Sequence, residues 1–204
     1  EAFGDEAGNV IMRKPATPGM ESRKGIILQA HMDMVPQKNG DKAFDFTRDA
    51  IEAYIDGDWV TADGTTLGAD NGLGMAAILA VMESDDLVHG PLEALITATE
   101  ETGMDGANGL KGGLLRGEIL VNLDSETEGE LYVGCAGGLD ASMTFDYTEE
   151  PVADGMKAFR IEVKGLRGGH SGIEIVLERA NANLLLFRLL RQASLSFGLR
   201  LASV

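Results

Sequence analysis

Apolar, β-rich runs that stop abruptly at acidic or imidazole side chains constrain this chain more than any other feature. GIILQAHM (Gly25 to Met32) closes on His31 and Asp33, as HMD. PLEALITATEE (Pro91 to Glu101) closes on Glu100 and Glu101, and EILVNLDSE (Glu118 to Glu126) runs into Asp124. Between the first two lies NGLGMAAILAVMES (Asn71 to Ser84), which carries apolar residues at helical spacing and follows directly on Asp70. A strand, helix, strand order predicts an α/β fold, with a mostly parallel sheet flanked by helices. In open α/β sheets, ligands bind in the crevice at the carboxyl ends of the strands. His31, Asp33, Asp70, Glu100, Glu101 and Asp124 are therefore expected to meet there, although they are far apart in sequence.

Several carboxylates packed together repel one another and raise each other's pKa unless a cation sits among them. One imidazole with several carboxylates suits a borderline divalent ion, zinc first, with manganese or cobalt as alternatives. Four carboxylates and one His are too many for a single tetrahedral zinc, but they suit a pair sharing a bridging carboxylate. Two metals roughly 3.5–4 Å apart can hold a hydroxide between them and polarise a substrate carbonyl, so peptide or amide hydrolysis is the natural reaction. Each residue also has a plainer reading. Asp70 could cap the helix that follows it, Glu100 and Glu101 could edge a solvated loop, and Asp124 could open a turn. The Gly-rich stretch before Asp70 is not a phosphate loop, because it lacks the Gly-Lys-Ser/Thr ending and Asp70 would oppose a phosphate.

The segment around Asp56-Gly57-Asp58 is turn-rich and predicts a hairpin. The character of the chain changes after GCAGG (Gly134 to Gly138). KAFRIEVKGL (Lys157 to Leu166) alternates like a strand, RANANLLLFRLLRQA (Arg179 to Ala193) reads as an amphipathic helix, and GLRLASV as another strand. Residues 1–137 are expected to form a metal-binding catalytic domain, and 138–204 the start of an α+β lid domain.

Composition excludes several function classes. The net charge of −16, from 33 acidic and 17 basic side chains, repels a phosphate backbone, so nucleic acid is not an expected partner. No run of 18 or more apolar residues is present to span a membrane. The single cysteine, Cys135, rules out a disulfide within the chain, fits a cytoplasmic location, and reads as a buried structural thiol. The chain opens on Glu1 in mid-element and closes on LSFGLRLASV, so sequence is expected to be missing at both ends, with any leader unread.

The segments LQAHMDMVPQKN, TTLGADNGLGMA, TEETGMDGA, NLDSETEGELYVGCAGG and GLRGGHSG resemble the Xaa-His dipeptidases (aminoacyl-histidine, or cytosol non-specific, dipeptidases). These belong to the clan of co-catalytic zinc exopeptidases that includes aminoacylases and carnosinases. The resemblance runs in order over essentially the whole chain. It implies a metal-dependent hydrolase of small unblocked dipeptides, those with C-terminal His included, working with two zinc ions.

Carried over motif by motif, the resemblance makes His31 and Asp124 ligands of one metal, Glu101 a ligand of the second, and Asp70 the bridge. Glu100 becomes the general base that takes a proton from the attacking water and returns it to the leaving amine. Asp33 orients His31 through a hydrogen bond. His170, in GGHSG, donates to the substrate carbonyl and in several relatives acts across a dimer, so a homodimer through the lid domain is expected. The stretch after GGHSG departs from the family pattern at Ile173, Leu177, Glu178 and Arg179. The family's fifth ligand, a His close to the C-terminus, has no counterpart here, so these 204 residues alone are expected to be inactive. Two rival functions are a hydrolase of N-acyl amino acids and a catalytically inactive metal-binding or dimerisation module.

Overall fold

The structure, a computed structural model, describes every residue except 126, 140, 170, 171, 173 and 204. It divides into two compact units, Glu1–Gly138 and Leu139–Val204.

The first unit is built on a five-stranded sheet in the order β1-β2-β6-β3-β7. Its strands are β1 (Ala2–Gly4), β2 (Val10–Lys14), β3 (Ile26–His31), β6 (Leu92–Thr97) and β7 (Ile119–Asn122). The sheet is mixed. β3 runs parallel to both β6 and β7, while β2 is antiparallel to β6 and β1 to β2. The register aligns Ile26 with Leu92 and with Ile119, and His31 with Thr97. The three parallel strands therefore start level and deliver their carboxyl ends to one edge.

β6 is buried along its whole length, as a continuous apolar run with both faces covered should be. On one face Ala30, Ala94 and Ile96 pack with Ile78, Met75 and Met82 of helix α1 (Ala69–Glu83). On the other, Ile11, Ile27 and Leu95 pack with Phe3 of β1 and with Leu110, Leu114 and Leu115, which follow the short helix α2 (Asp105–Gly109). Glu93 interrupts this apolar strand, and its buried carboxylate is fully engaged. It accepts from Arg13 Nε at 3.0 Å and from the backbone N–H groups of Arg116 and Gly117 at 2.6 and 2.7 Å. Lys14 closes the far end of α1 by donating to the carbonyls of Val81, Met82 and Ser84, which the helix itself leaves without partners.

The expected hairpin is present as β4 (Ala53–Asp56) and β5 (Trp59–Ala62), antiparallel, with Asp56 opposite Trp59. Gly57 sits in its turn at φ 61°, where a side chain would be strained.

The second unit holds a 3-10 turn at Ile175–Leu177 and helix α3 (Ala182–Phe197). Asn181 caps α3, its side chain accepting from Leu184 N at 3.0 Å, and Gly198 ends it at φ 65°. The strands expected over Lys157–Leu166 and after Gly198 do not form among the described residues. Alternation of apolar and polar residues prepares a strand, but the backbone needs a neighbouring ladder, and no described residue supplies one. Cys135 is exposed rather than buried, within an exposed stretch that no strand or helix includes.

Candidate metal centre

The carboxyl edge of the parallel strands gathers the acidic side chains around one imidazole. His31 is the last residue of β3 and is 1% exposed. Its Nδ1–H donates to the Asp33 carbonyl at 2.8 Å. A carbonyl can only accept, so this contact fixes the tautomer and leaves Nε2 as the working atom. Nε2 lies 3.0 Å from Asp70 Oδ1 and 3.6 Å from Asp124 Oδ1.

Asp70 reaches the site from the start of α1, where the backbone is not yet helical (φ −92°, ψ 108°). Gly68 begins the turn at φ 82°, a conformation that favours glycine, and a Cβ there would make the Met34 thioether move aside. Asp70 is not the N-cap of α1, a position held by Gly68. Its carboxylate is turned to His31 instead.

Glu100 and Glu101 leave β6 through Thr99, whose φ of 53° is costly for a β-branched residue and turns the chain sharply. Their backbone N–H groups donate to the two carboxylate oxygens of Asp33, Glu100 to Oδ1 at 2.9 Å and Glu101 to Oδ2 at 3.1 Å. The Asp33 carboxylate approaches His31 Nδ1 only to 3.5 Å. The hydrogen bond expected between Asp33 and His31 is thus accepted by the main-chain carbonyl of Asp33, and its carboxylate holds the Glu100–Glu101 corner.

Two sets of donor atoms lie within 4.8 Å of one another: His31, Asp70 and Asp124, and His31, Glu100 and Glu101. The electrostatics match a site short of positive charge. Burial raises the Asp124 carboxyl and His31 lowers it, but Asp70 and Glu100 add to the burial, and the group is pushed up to about 6. Burial also lifts Glu101, helped by the charges of Asp70 and Glu100. For His31, burial disfavours the cation, yet the hydrogen bond to Asp70 and the charge of Asp124 outweigh it and raise the pKa. Asp33 is likewise penalised by burial, but the N–H groups of Glu100 and Glu101 hold its pKa below the usual value. A divalent cation among these groups would reverse the mutual repulsion. The donor set, one imidazole and several carboxylates, fits zinc, manganese or cobalt.

Beneath these residues runs a polar ladder that the sequence reading did not single out. Thr97 Oγ1 donates to the Ala30 carbonyl at 3.3 Å, and Gln29 Nε2 donates to Thr97 Oγ1 at 3.1 Å. Asn122 Nδ2 donates to Gln29 Oε1, and Asn122 Oδ1 accepts from Asp124 N at 3.0 Å. The ladder ties Asp124 to the strands that carry His31 and the glutamates. Its signal was available in sequence, since each of the three apolar runs turns polar near its end. His170 lies outside the described residues.

Residues 27–189 match the family described as Peptidase family M20/M25/M40. The Cytosol non-specific dipeptidase of Escherichia coli (strain K12) is 57% identical over 197 residues, which is 97% of this chain and 41% of that protein. The crystal structure of an aminoacylhistidine dipeptidase from Vibrio alginolyticus superposes with a TM-score of 0.67 at 54% identity, covering 99% of this chain and 41% of the other. A tripeptidase from Staphylococcus aureus is 26% identical with a TM-score of 0.51, over 62% of this chain and 34% of its own. This chain thus spans about two fifths of the length of the two dipeptidases.

Proposed function

The chain belongs to Peptidase family M20/M25/M40, and from that premise we propose that it forms the metal-binding part of a dipeptidase acting on small unblocked dipeptides, Xaa-His included. The observation that carries this reading is the convergence of Asp70 and Asp124 on His31 Nε2 beside the Glu100–Glu101 corner. The 57% identity to a cytosol non-specific dipeptidase supports the substrate class.

In this reading His31, Asp70 and Asp124 would hold one zinc, and Asp70 and Glu101 would hold a second. Manganese or cobalt would suit the same donors. Two such ions, when bound, polarise the scissile carbonyl and lower the pKa of the attacking water. Glu100 takes a proton from that water and returns it to the departing amine, so one water is consumed and two amino acids leave. Asp33 keeps His31 in the useful tautomer through its carbonyl and keeps Glu100 and Glu101 in place through its carboxylate. His170 donates to the substrate carbonyl oxygen.

The remaining ligand is supplied from outside these 204 residues. Residues 1–137 serve as the catalytic domain and 138–204 as part of a lid through which the protein dimerises. The cytoplasm is the proposed location, in keeping with one exposed cysteine and the cytosolic relative. Among the described residues no helix is long and apolar enough to cross a membrane.

The test compares Gly-His with N-acetylated amino acids as substrates of the full-length protein. Turnover of the free dipeptide, with none of the acylated compounds, is expected. Preferential hydrolysis of the acylated compounds would replace this reading with an N-acyl amino acid hydrolase.

A further inference from the structure

Asn9 has no part in the chemistry above, yet it is completely buried, with 0% exposure. A buried carboxamide persists where its hydrogen bonds are satisfied and specify a particular geometry. The bonds of Asn9 all lead to the segment carrying Glu100 and Glu101, or to the turn that supports Asn9 itself. Its Oδ1 accepts from Ala98 N at 3.2 Å, just before the segment, and its Nδ2 donates to the Gly106 carbonyl at 2.8 Å, just after it. The second Nδ2 hydrogen goes to Asp5 Oδ2 at 2.8 Å. Asp5 in turn accepts from the backbone N–H groups of Ala7 and Asn9 at 2.9 and 2.8 Å, and its own N–H donates to the Asn9 carbonyl at 3.0 Å. The turn between β1 and β2 is thereby a rigid mount for one carboxamide.

Gly106 completes the fit. Its N–H donates to the Ala98 carbonyl at 3.2 Å, closing the segment on itself. A Cβ at this position would lie 2.3 Å from Asn9 Oδ1 and 2.6 Å from both N and O of Ala98, so no side chain can be accommodated without moving the clamp. Within the closed segment, Thr99 takes its positive φ, and the N–H groups of Glu100 and Glu101 reach Asp33.

We propose that Asn9 is a positioning residue for the reaction, clamping both ends of segment 98–106 so that Glu100 and Glu101 are held toward His31. Asp33 holds the corner from the site side and Asn9 holds its base. The catalytic part of this inference rests on the roles given above to Glu100 and Glu101; the mechanical part does not.

Asn9→Asp keeps the volume and the acceptor for Ala98 but loses both donors and faces Asp5 with a second carboxylate. Asn9→Ser, too short to span the clamp, is measured beside it in case a buried carboxylate prevents folding. Hydrogen–deuterium exchange of metal-free, full-length protein is compared for segment 98–106 and for the β3 and β6 peptides. Kinetic constants for Gly-His are then measured on the metal-loaded protein. Exchange in the segment is expected to quicken about tenfold or more while β3 and β6 keep their protection. The kcat is expected to fall about 10- to 100-fold with KM nearly unchanged, as for outer-shell partners of metal sites.

Unchanged exchange in 98–106 would overturn the clamp. Equal acceleration in β3 and β6 would also overturn it, by making Asn9 a general fold residue. Quickened exchange with unaltered kcat would overturn its catalytic meaning. Absence of turnover by the unmodified protein would instead sink the functional reading alone, and exchange would still decide the clamp.

Discussion

Replacing Asp33 with Asn isolates one interaction at the centre of the account. The carbonyl of residue 33, which accepts from His31 Nδ1 at 2.8 Å, is main chain and survives the substitution. What changes is the carboxylate that receives Glu100 N at 2.9 Å and Glu101 N at 3.1 Å. The amide oxygen can still accept one of these N–H groups, but the amide nitrogen then confronts the other, donor against donor. One hydrogen bond to a charged group, worth about 1.5–3 kcal/mol, is lost in the positioned form of the corner. If that form is the active one, the loss converts to a fall in kcat of roughly 10- to 150-fold. Steady-state kinetics on Gly-His, with metal content measured in the same samples, would show kcat reduced and the ion at His31 retained. A kcat within about twofold of the unmodified protein would refute the claim that the carboxylate holds the Glu100–Glu101 corner.

Other perturbations separate the remaining roles. Asp70→Ala should weaken binding of both ions, whereas Glu100→Ala should leave binding intact and remove most of the rate; calorimetric metal titration beside kinetics distinguishes them, and equal metal affinities in the two variants would contradict the assignment. For the fold, burial penalises Glu93, but the N–H of Arg116, the guanidinium of Arg13 and the N–H of Gly117 hold its pKa below the usual value. A carboxyl depressed in the folded state adds stability above its unfolded pKa, and that stability fades as pH falls through the folded value. Glu93→Gln should therefore cost several kcal/mol at pH 7, about 3–5 by analogy with broken buried pairs, and progressively less in acid. Urea unfolding at pH 7 and near pH 4 checks this, and an unchanging gap would contradict it.

The parallel core was legible because its physics is local. IILQAH and LEALIT are apolar runs of strand length, and the Ala-, Met- and Leu-rich segment after Asp70 has helical period. The hairpin was legible from Gly57 between two aspartates. The antiparallel edge was not, since β1 and β2 are short and acquire their meaning only by pairing with β6. The opposite error occurred at Lys157–Leu166, where alternation was present and a ladder partner was not.

At the site, strand ends predicted that His31, Asp70, Glu100, Glu101 and Asp124 would meet, because parallel strands bring their carboxyl ends to one edge. The division of labour within Asp33 was beyond sequence, as a two-residue spacing from His31 lets either its carbonyl or its carboxylate reach the ring. The capping alternative for Asp70 gave way because Gly68 takes the N-cap position of α1, while the Asp70 carboxylate lies 3.0 Å from His31 Nε2. Asn9 carried no sequence signal, since its partners at Ala98 and Gly106 are remote and contribute only backbone atoms.

The most direct test of the central claim is release of histidine from Gly-His or β-Ala-His by the full-length protein, stripped of metal by chelation and then supplied with zinc. The account predicts no release after chelation and restored release on adding zinc. Release that persists without metal, or none with zinc bound and the fold intact, would contradict it.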